Sequence, residues 1–313
     1  MLFCIQLFAL SKARRRFKGS SHMKNLIFLS ALTLVGCAST IESPKPIAVW
    51  EGTPPGEVLT PKPGADPRGS YTTWEGNQYL TDIFTPEFIP WPAAKPNSPI
   101  VIVCPGGGYK FLSEKLEGKV IAQKLNQMGC AAVVLHYRVP RRDNDKPWIQ
   151  PLLDARRTLE IVRARAAEWN GNPKNVGILG FSAGGNLAAR VAYAPADPEP
   201  PRPDFAVMVY SAYLFDEAKK PDQVLMTGPD GVVPAPKPKV PVPAFFAHSN
   251  DDKLPAEASA AMASKLKSMG GSSEVHIWAD GGHGWAGTDR CDAAREWMGI
   301  LEVWMKNRGI LPR

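Results

Sequence analysis

Unbroken apolar runs alternate with amphipathic ones over most of the chain. Residues 100–104, Ile-Val-Ile-Val-Cys, are apolar at every position, the pattern of a strand covered on both faces. Residues 131–137 read the same way, and 176–179, 205–211, 240–247 and 274–278 predict four more strands. Between them, 118–128, 149–169, 186–193, 257–269 and 291–306 predict helices. In 149–169 the helical period runs through Leu152, Leu153, Leu159, Ile161 and Val162. A further strand is expected at 78–84, and 86–99 reads as a proline-punctuated loop. Strands alternating with helices build βαβ units. The expected fold class is therefore α/β, with a doubly wound, mostly parallel sheet.

The flanks do not follow this alternation. Residues 43–69 are rich in Pro, Gly and Thr and predict an extended tether, with Ile47-Ala-Val-Trp50 able to dock on the domain. Segments 195–203 and 214–243 are polar or proline-rich insertions beside one predicted strand and form at most a minimal lid. The expected division is 1–36 as upstream extension and signal, 37–70 as tether and 71–313 as the catalytic-type domain. Met23-Lys24-Asn25 is a small positive start, and 26–35 is apolar but too short to span a bilayer. It runs into Leu34-Val35-Gly36-Cys37, which resembles a bacterial lipobox. Cleavage before Cys37 and lipidation of its thiol follow, placing the protein at the cell envelope; an ordinary secretory signal is the alternative. Residues 1–22 fit neither scheme and are set aside.

Charge adds little to the picture once this leader is set aside. The chain has 313 residues, 44% hydrophobic and 21% charged, with a formal charge of +7. Lys12, Arg14, Arg15, Arg16, Lys18 and Lys24 lie in the first 36 residues with no acid among them, so the rest carries +1. A near-neutral body lacks the basic face that nucleic-acid binding requires. Of five cysteines, Cys4 and Cys37 belong to the leader. Cys104, Cys130 and Cys291 are an odd set without metal-ligand spacing, and free thiols are expected. Neither a metal nor a cofactor is called for.

The candidate chemistry sits at predicted strand ends. Gly180-Phe-Ser-Ala-Gly184 lies between a strand and a helix, where a Gly-x-Ser-x-Gly turn exposes the Ser182 hydroxyl on a strained backbone. A Cβ at Gly180 or Gly184 would collide with neighbouring chain. An ordinary helix-capping serine would look the same in isolation. Cys104-Pro-Gly-Gly-Gly-Tyr109 follows an earlier strand. Its Gly107 and Gly108 amides, with that of Ala183, could bind a developing oxyanion. No Gly-Lys-Ser/Thr follows, and Phe111 stands where a third glycine would complete a dinucleotide loop. Downstream, an acidic turn carries Asp251 and Asp252, and Gly281-Gly-His283-Gly gives a histidine room to swing over the sheet edge. His136 and His276 lie within predicted strands and read as structural; His248 competes better but precedes the acid. The order Ser182, Asp252, His283 is that of α/β-hydrolases.

These motifs resemble a known group. Pro-Gly-Gly-Gly-Tyr, Val-Leu-His-Tyr-Arg at 134–138, Leu-Leu-Asp-Ala-Arg-Arg at 152–157, Gly-Phe-Ser-Ala-Gly-Gly-Asn-Leu-Ala and Gly-Gly-His-Gly-Trp look like bacterial acetyl-xylan-esterase-like α/β-hydrolases, relatives of the hormone-sensitive-lipase-like esterases. Val49-Trp-Glu-Gly52 and Pro54-Pro-Gly56 extend the match over roughly 47–307. The lipase-like branch has histidine before its three glycines, where this chain has Pro105. The resemblance implies the α/β-hydrolase fold and serine esterase activity through an acyl-enzyme, on short acyl, chiefly acetyl, esters of plant-polysaccharide fragments. It also selects the acid four residues after His248, which is Asp252, leaving Asp251 as a solvated turn residue. A peptidase of the same fold and a non-catalytic glycan- or protein-binding relative are the alternatives. The expected partners are a small ester or acetylated oligosaccharide and a membrane reached through a lipid anchor; nothing in the sequence fixes an oligomeric state.

Overall fold

In the computed structural model, which describes residues 45–194, 198–214 and 240–313, the unbroken apolar runs form the middle of one sheet. Along the chain the strands are β1 (Ile47–Ala48), β2 (Ser70–Trp74), β3 (Asn77–Thr81), β4 (Glu87–Trp91) and β5 (Ser98–Cys104). Helix α1 (Val120–Gln127) leads to β6 (Ala131–His136), and α2 (Ile149–Ala164) leads to β7 (Gly171–Phe181). Then come α3 (Ala183–Tyr193), β8 (Ala206–Val209), β9 (Ala244–Ser249), α4 (Glu257–Ser268), β10 (Ser273–Trp278) and α5 (Asp292–Asn307). The main sheet has the order β1-β4-β6-β5-β7-β8-β9-β10. From β6 to β10 every pairing is parallel, and the β1 and β4 ladders are antiparallel.

Alternate residues of each central strand feed opposite cores, as the pleat requires. Ile100 and Ile102 pack with Leu159, Val162, Leu187, Met262 and Leu266 from α2, α3 and α4. Val101 and Val103 face the other way, toward Ile121, Leu125, Trp297, Leu301 and Trp304 from α1 and α5. The doubly wound arrangement expected from the pattern is present.

Three readings need correction. The proline-punctuated loop contains β4, which pairs through Pro90 with Val133 of β6. Pro90 lacks an N–H, yet a near-edge antiparallel ladder tolerates one missing donor. The strand expected at 78–84 is β3, which ends at Thr81 and lies outside the main sheet, in a hairpin with the exposed β2 and a single bridge from Leu80 to Leu112. The stretch 149–169 is interrupted: α2 stops at Ala164, and a 3₁₀ turn, Ala166–Trp169, ends at Asn170 with φ 59°.

The predicted tether is docked along 47–57. β1 joins β4, Val49 is buried, and the Trp50 indole N–H donates to Asp154 Oδ1 at 2.8 Å. Asp154 and Arg138 are both fully buried and paired at 2.8 Å, and Arg138 also donates to the Pro55 carbonyl at 2.9 Å. Arg142 meets Glu57 at 2.6 Å. Cys104 and Cys130 are buried free thiols, and Cys291 is a half-buried one. No helix among the described residues is long and apolar enough to cross a membrane. The proposed leader and Cys37, and most of the 214–243 insertion, lie outside the described residues.

Candidate active site

Strand β7 ends at Phe181, and α3 begins at Ala183. Ser182 joins them at φ 51° and ψ −119°, a conformation that costs an L-residue of order 1–3 kcal/mol unless its surroundings enforce it. They do. The Ser182 N–H donates to the Val209 carbonyl at 3.1 Å, and its carbonyl accepts the N–H of Gly185, Asn186 and Ala212 at 3.0–3.1 Å. A Cβ on Gly180 would land on the Gly184 carbonyl, and one on Gly184 on the Cys104 carbonyl. Both glycines are required for close approach.

The three predicted side chains meet. His283 Nε2 lies 2.9 Å from Ser182 Oγ, and His283 Nδ1 lies 2.7 Å from Asp252 Oδ2. Ser182 is nearly buried and the Asp252 side chain wholly so, while His283 keeps 22% of its side-chain exposure. The other Asp252 oxygen accepts the Leu254 N–H at 2.9 Å. Burial alone would raise the Asp252 pKa. Hydrogen bonds from His248 and His283, the Leu254 amide and the His283 charge override it and hold the carboxyl well below its ordinary 3.8. Because Nδ1 faces a carboxylate, Nε2 of the neutral ring is the basic nitrogen that faces the serine.

Asp251 does more than the turn residue expected. Its Oδ1 accepts the Gly282 N–H at 2.7 Å, so it ties down the loop carrying His283. Backbone bonds from Gly282 and Gly281 lower its pKa. His248 is fully buried, with Nδ1 2.9 Å from Ser259 Oγ and Nε2 3.3 Å from Asp252 Oδ2. It backs the acid and is sealed from substrate. His136 is buried with ring nitrogens 3.8 and 3.9 Å from Glu87 and Glu114, and His276 contacts Glu274 at 2.8 Å. Neither joins the serine. No cluster of metal-ligating side chains occurs among the described residues.

The glycine loop turns tightly under the elbow. The Gly107 carbonyl accepts the N–H of Lys110 and Phe111 at 2.9 and 3.3 Å, and φ is +135° at Gly107 and +62° at Gly108. The amides of Gly107, Gly108 and Ala183 have no acceptor among the described residues. The Gly106 amide is committed: it donates to Glu117 Oε2 at 2.7 Å.

Glu117 escaped the sequence reading. It sits in a π-helix, Glu114–Lys119, just ahead of α1, and resembled an ordinary acid in a first helical turn. In the fold it is buried and accepts the Tyr210 hydroxyl at 2.7 Å. Tyr210, at φ 35°, lies just beyond β8 with its ring centroid 5.0 Å from that of His283. Neither residue carries a local signal, because their partners lie 11 and 93 positions away.

The sheet order, the elbow at the end of β7 and the loops past β9 and β10 give the chain the α/β-hydrolase fold. Within that class, residues 82–199 match the family model BD-FAE. An acetylxylan esterase of Xylanibacter ruminicola is 38% identical over 122 residues, 39% of this chain and 24% of that protein. A probable carboxylic ester hydrolase, LipM, of Mycobacterium tuberculosis is 30% identical over 32% of this chain and 23% of its own length. The chain thus spans about a quarter of the length of these curated relatives. A crystal structure of an acetyl ester-xyloside bifunctional hydrolase from Caldicellulosiruptor lactoaceticus superposes with a TM-score of 0.65 at 27% identity, covering 88% of this chain and all of that one. The resemblance to acetyl-xylan-esterase-like hydrolases read from the motifs therefore stands.

Proposed function

We propose that this protein is a serine esterase that removes short acyl groups, acetyl foremost, from plant-polysaccharide fragments through an acyl-enzyme. The observation that carries the reading is the continuous chain Ser182 Oγ–His283–Asp252, at 2.9 and 2.7 Å, beside three amides with no acceptor among the described residues. Esterase relatives and the acetyl ester-xyloside hydrolase likeness support the substrate class.

Each group has one task. Ser182 Oγ attacks the ester carbonyl while His283 Nε2 takes its proton. The carbonyl oxygen becomes an oxyanion held by the N–H groups of Gly107, Gly108 and Ala183. Asp252 keeps the Nδ1–H tautomer and stabilises the imidazolium. The intermediate collapses, and His283 returns the proton to the departing sugar oxygen, which leaves as a hydroxyl. Water then attacks the acyl-serine with His283 again as base, releasing the carboxylic acid and restoring Ser182. The oxyanion amides are typically worth about 10²–10³ in kcat apiece.

The Leu34-Val35-Gly36-Cys37 motif supports a lipid anchor at Cys37 and a place in the bacterial cell envelope. Detergent partitioning of wild type against Cys37→Ala tests this; equal partitioning would favour plain secretion. For the activity, a fluorophosphonate probe should label wild type at Ser182. Acetylated xylo-oligosaccharides and p-nitrophenyl acetate should both turn over, with acetyl above butyryl and far above octanoyl. Folded protein that neither labels nor turns over any of these esters would overturn the esterase reading.

A further inference from the structure

Glu117 joins two parts of the site. Its Oε2 accepts the N–H of Gly106, the residue before the two proposed oxyanion donors, at 2.7 Å. Its Oε1 accepts the Tyr210 hydroxyl at 2.7 Å, and that hydroxyl accepts the Ala286 N–H at 3.3 Å, three residues past His283. The Tyr210 ring lies against the His283 ring, centroids 5.0 Å apart. A Cβ on Gly106 would touch the Glu117 carboxylate and the Ser182 Cβ at once, at 2.8 and 2.9 Å. Glu117 and Ser182 thus flank Gly106 on the same side.

Glu117 is 5% exposed, and no lysine or arginine pairs with it among the described residues. Burial raises its pKa; the bonds from Tyr210 and Gly106 and the His283 charge act against that rise. A fold has no stability reason to bury a carboxyl without a cation. One that accepts two short hydrogen bonds beside a histidine that becomes charged during turnover has a functional one.

We propose that Glu117 is a positioning residue for the esterase reaction. Through Gly106 it sets the glycine loop so that the next two amides point at the oxyanion, and through Tyr210 it supports the His283 ring as it takes the serine proton. The proposal rests on the esterase reading above. The charged and titratable groups facing His283 are then Asp252 at Nδ1, Asp251 through the Gly282 amide, Arg290 through the His283 and Gly281 carbonyls, and Glu117 through Tyr210, with His248 behind Asp252.

The test compares Glu117→Gln, Glu117→Asp and Tyr210→Phe with wild type on p-nitrophenyl acetate across pH. In Glu117→Gln we expect kcat to fall about 10–100-fold with KM changed less than about threefold, the signature of lost transition-state contacts. Removing an anion near the base should also move the acidic limb of kcat/KM to lower pH, by roughly half a unit to one unit. Tyr210→Phe, which loses one hydroxyl and leaves the Gly106 contact, should show a smaller loss in kcat and part of the pH shift. Glu117→Asp should restore part of the shift, since it restores the charge. A Glu117→Gln profile that superimposes on wild type, with kcat within twofold, overturns the proposal. If that variant does not fold, an unshifted Tyr210→Phe profile does the same. Wild type that fails to label with fluorophosphonate overturns the esterase reading instead, so the two failures are distinct.

Discussion

Asp251 Oδ1 accepts the Gly282 N–H while its neighbour Asp252 accepts His283 Nδ1, both at 2.7 Å. Two adjacent acids thus grip one histidine loop at different points. Only Asp252 can fix the tautomer. Asp252→Asn should lower kcat on the order of 10⁴-fold, the cost of a wrong tautomer. Asp251→Asn keeps an oxygen for Gly282 and should stay within about tenfold, about 1.4 kcal/mol of barrier; Asp251→Ala should lose more. Kinetics of all three at one pH, with circular dichroism, would expose an inverted order.

Ser182→Ala should cut kcat on an activated ester by about 10⁶-fold while the fold persists, the scale for loss of a triad serine. Single-turnover and steady-state rates on p-nitrophenyl acetate measure it. Near-normal turnover would mean that another nucleophile acts.

Glu117 should also mark the stability profile. Burial raises its pKa above the ordinary 4.5, so the native state holds this proton to higher pH than the unfolded chain does. As pH rises from about 4.5 through the native value, that preference is lost and wild type loses stability. Glu117→Gln has no such proton. Its melting temperature relative to wild type should therefore climb over the same window and then level off. Parallel melting curves from pH 4 to 9 would contradict this.

The docking of segment 47–57 can be tested at the buried ion pair it covers. Asp154→Ala takes from buried Arg138 its 2.8 Å partner, with Glu57 left 3.8 Å away, and frees the Trp50 indole N–H. Removing one partner of such a pair costs about 3–5 kcal/mol. Urea unfolding should show a loss of that size, accompanied by a change in Trp50 fluorescence. Destabilisation under about 1 kcal/mol would mean that the segment docks through β1 alone.

What the sequence made legible was local. Ser182 carries its elbow with it in five residues, His283 is framed by glycines, and the central strands are apolar at every position. Contacts across the fold left no such trace. Glu117 reads as an ordinary helix-terminal acid until β5, β8 and the π-helix converge on it. Asp251 reads as turn residue because its partner lies 31 positions on. β4 was hidden by Pro90, since a proline inside five residues outweighs the pairing that neighbouring strands supply. His248, the rejected competitor, lies on the far side of the acid it was weighed against.

The backbone at Ser182 has a thermodynamic consequence. Its φ of 51° and ψ of −119° suit glycine and burden any residue with a Cβ. Ser182→Gly should therefore relax the turn and raise stability, by about 0.5–2 kcal/mol, while abolishing turnover. The serine is tolerated there only because the surrounding hydrogen bonds overrule it. Selection for thermal endurance alone would erode this position first, and the most durable form of the chain would be an inert one.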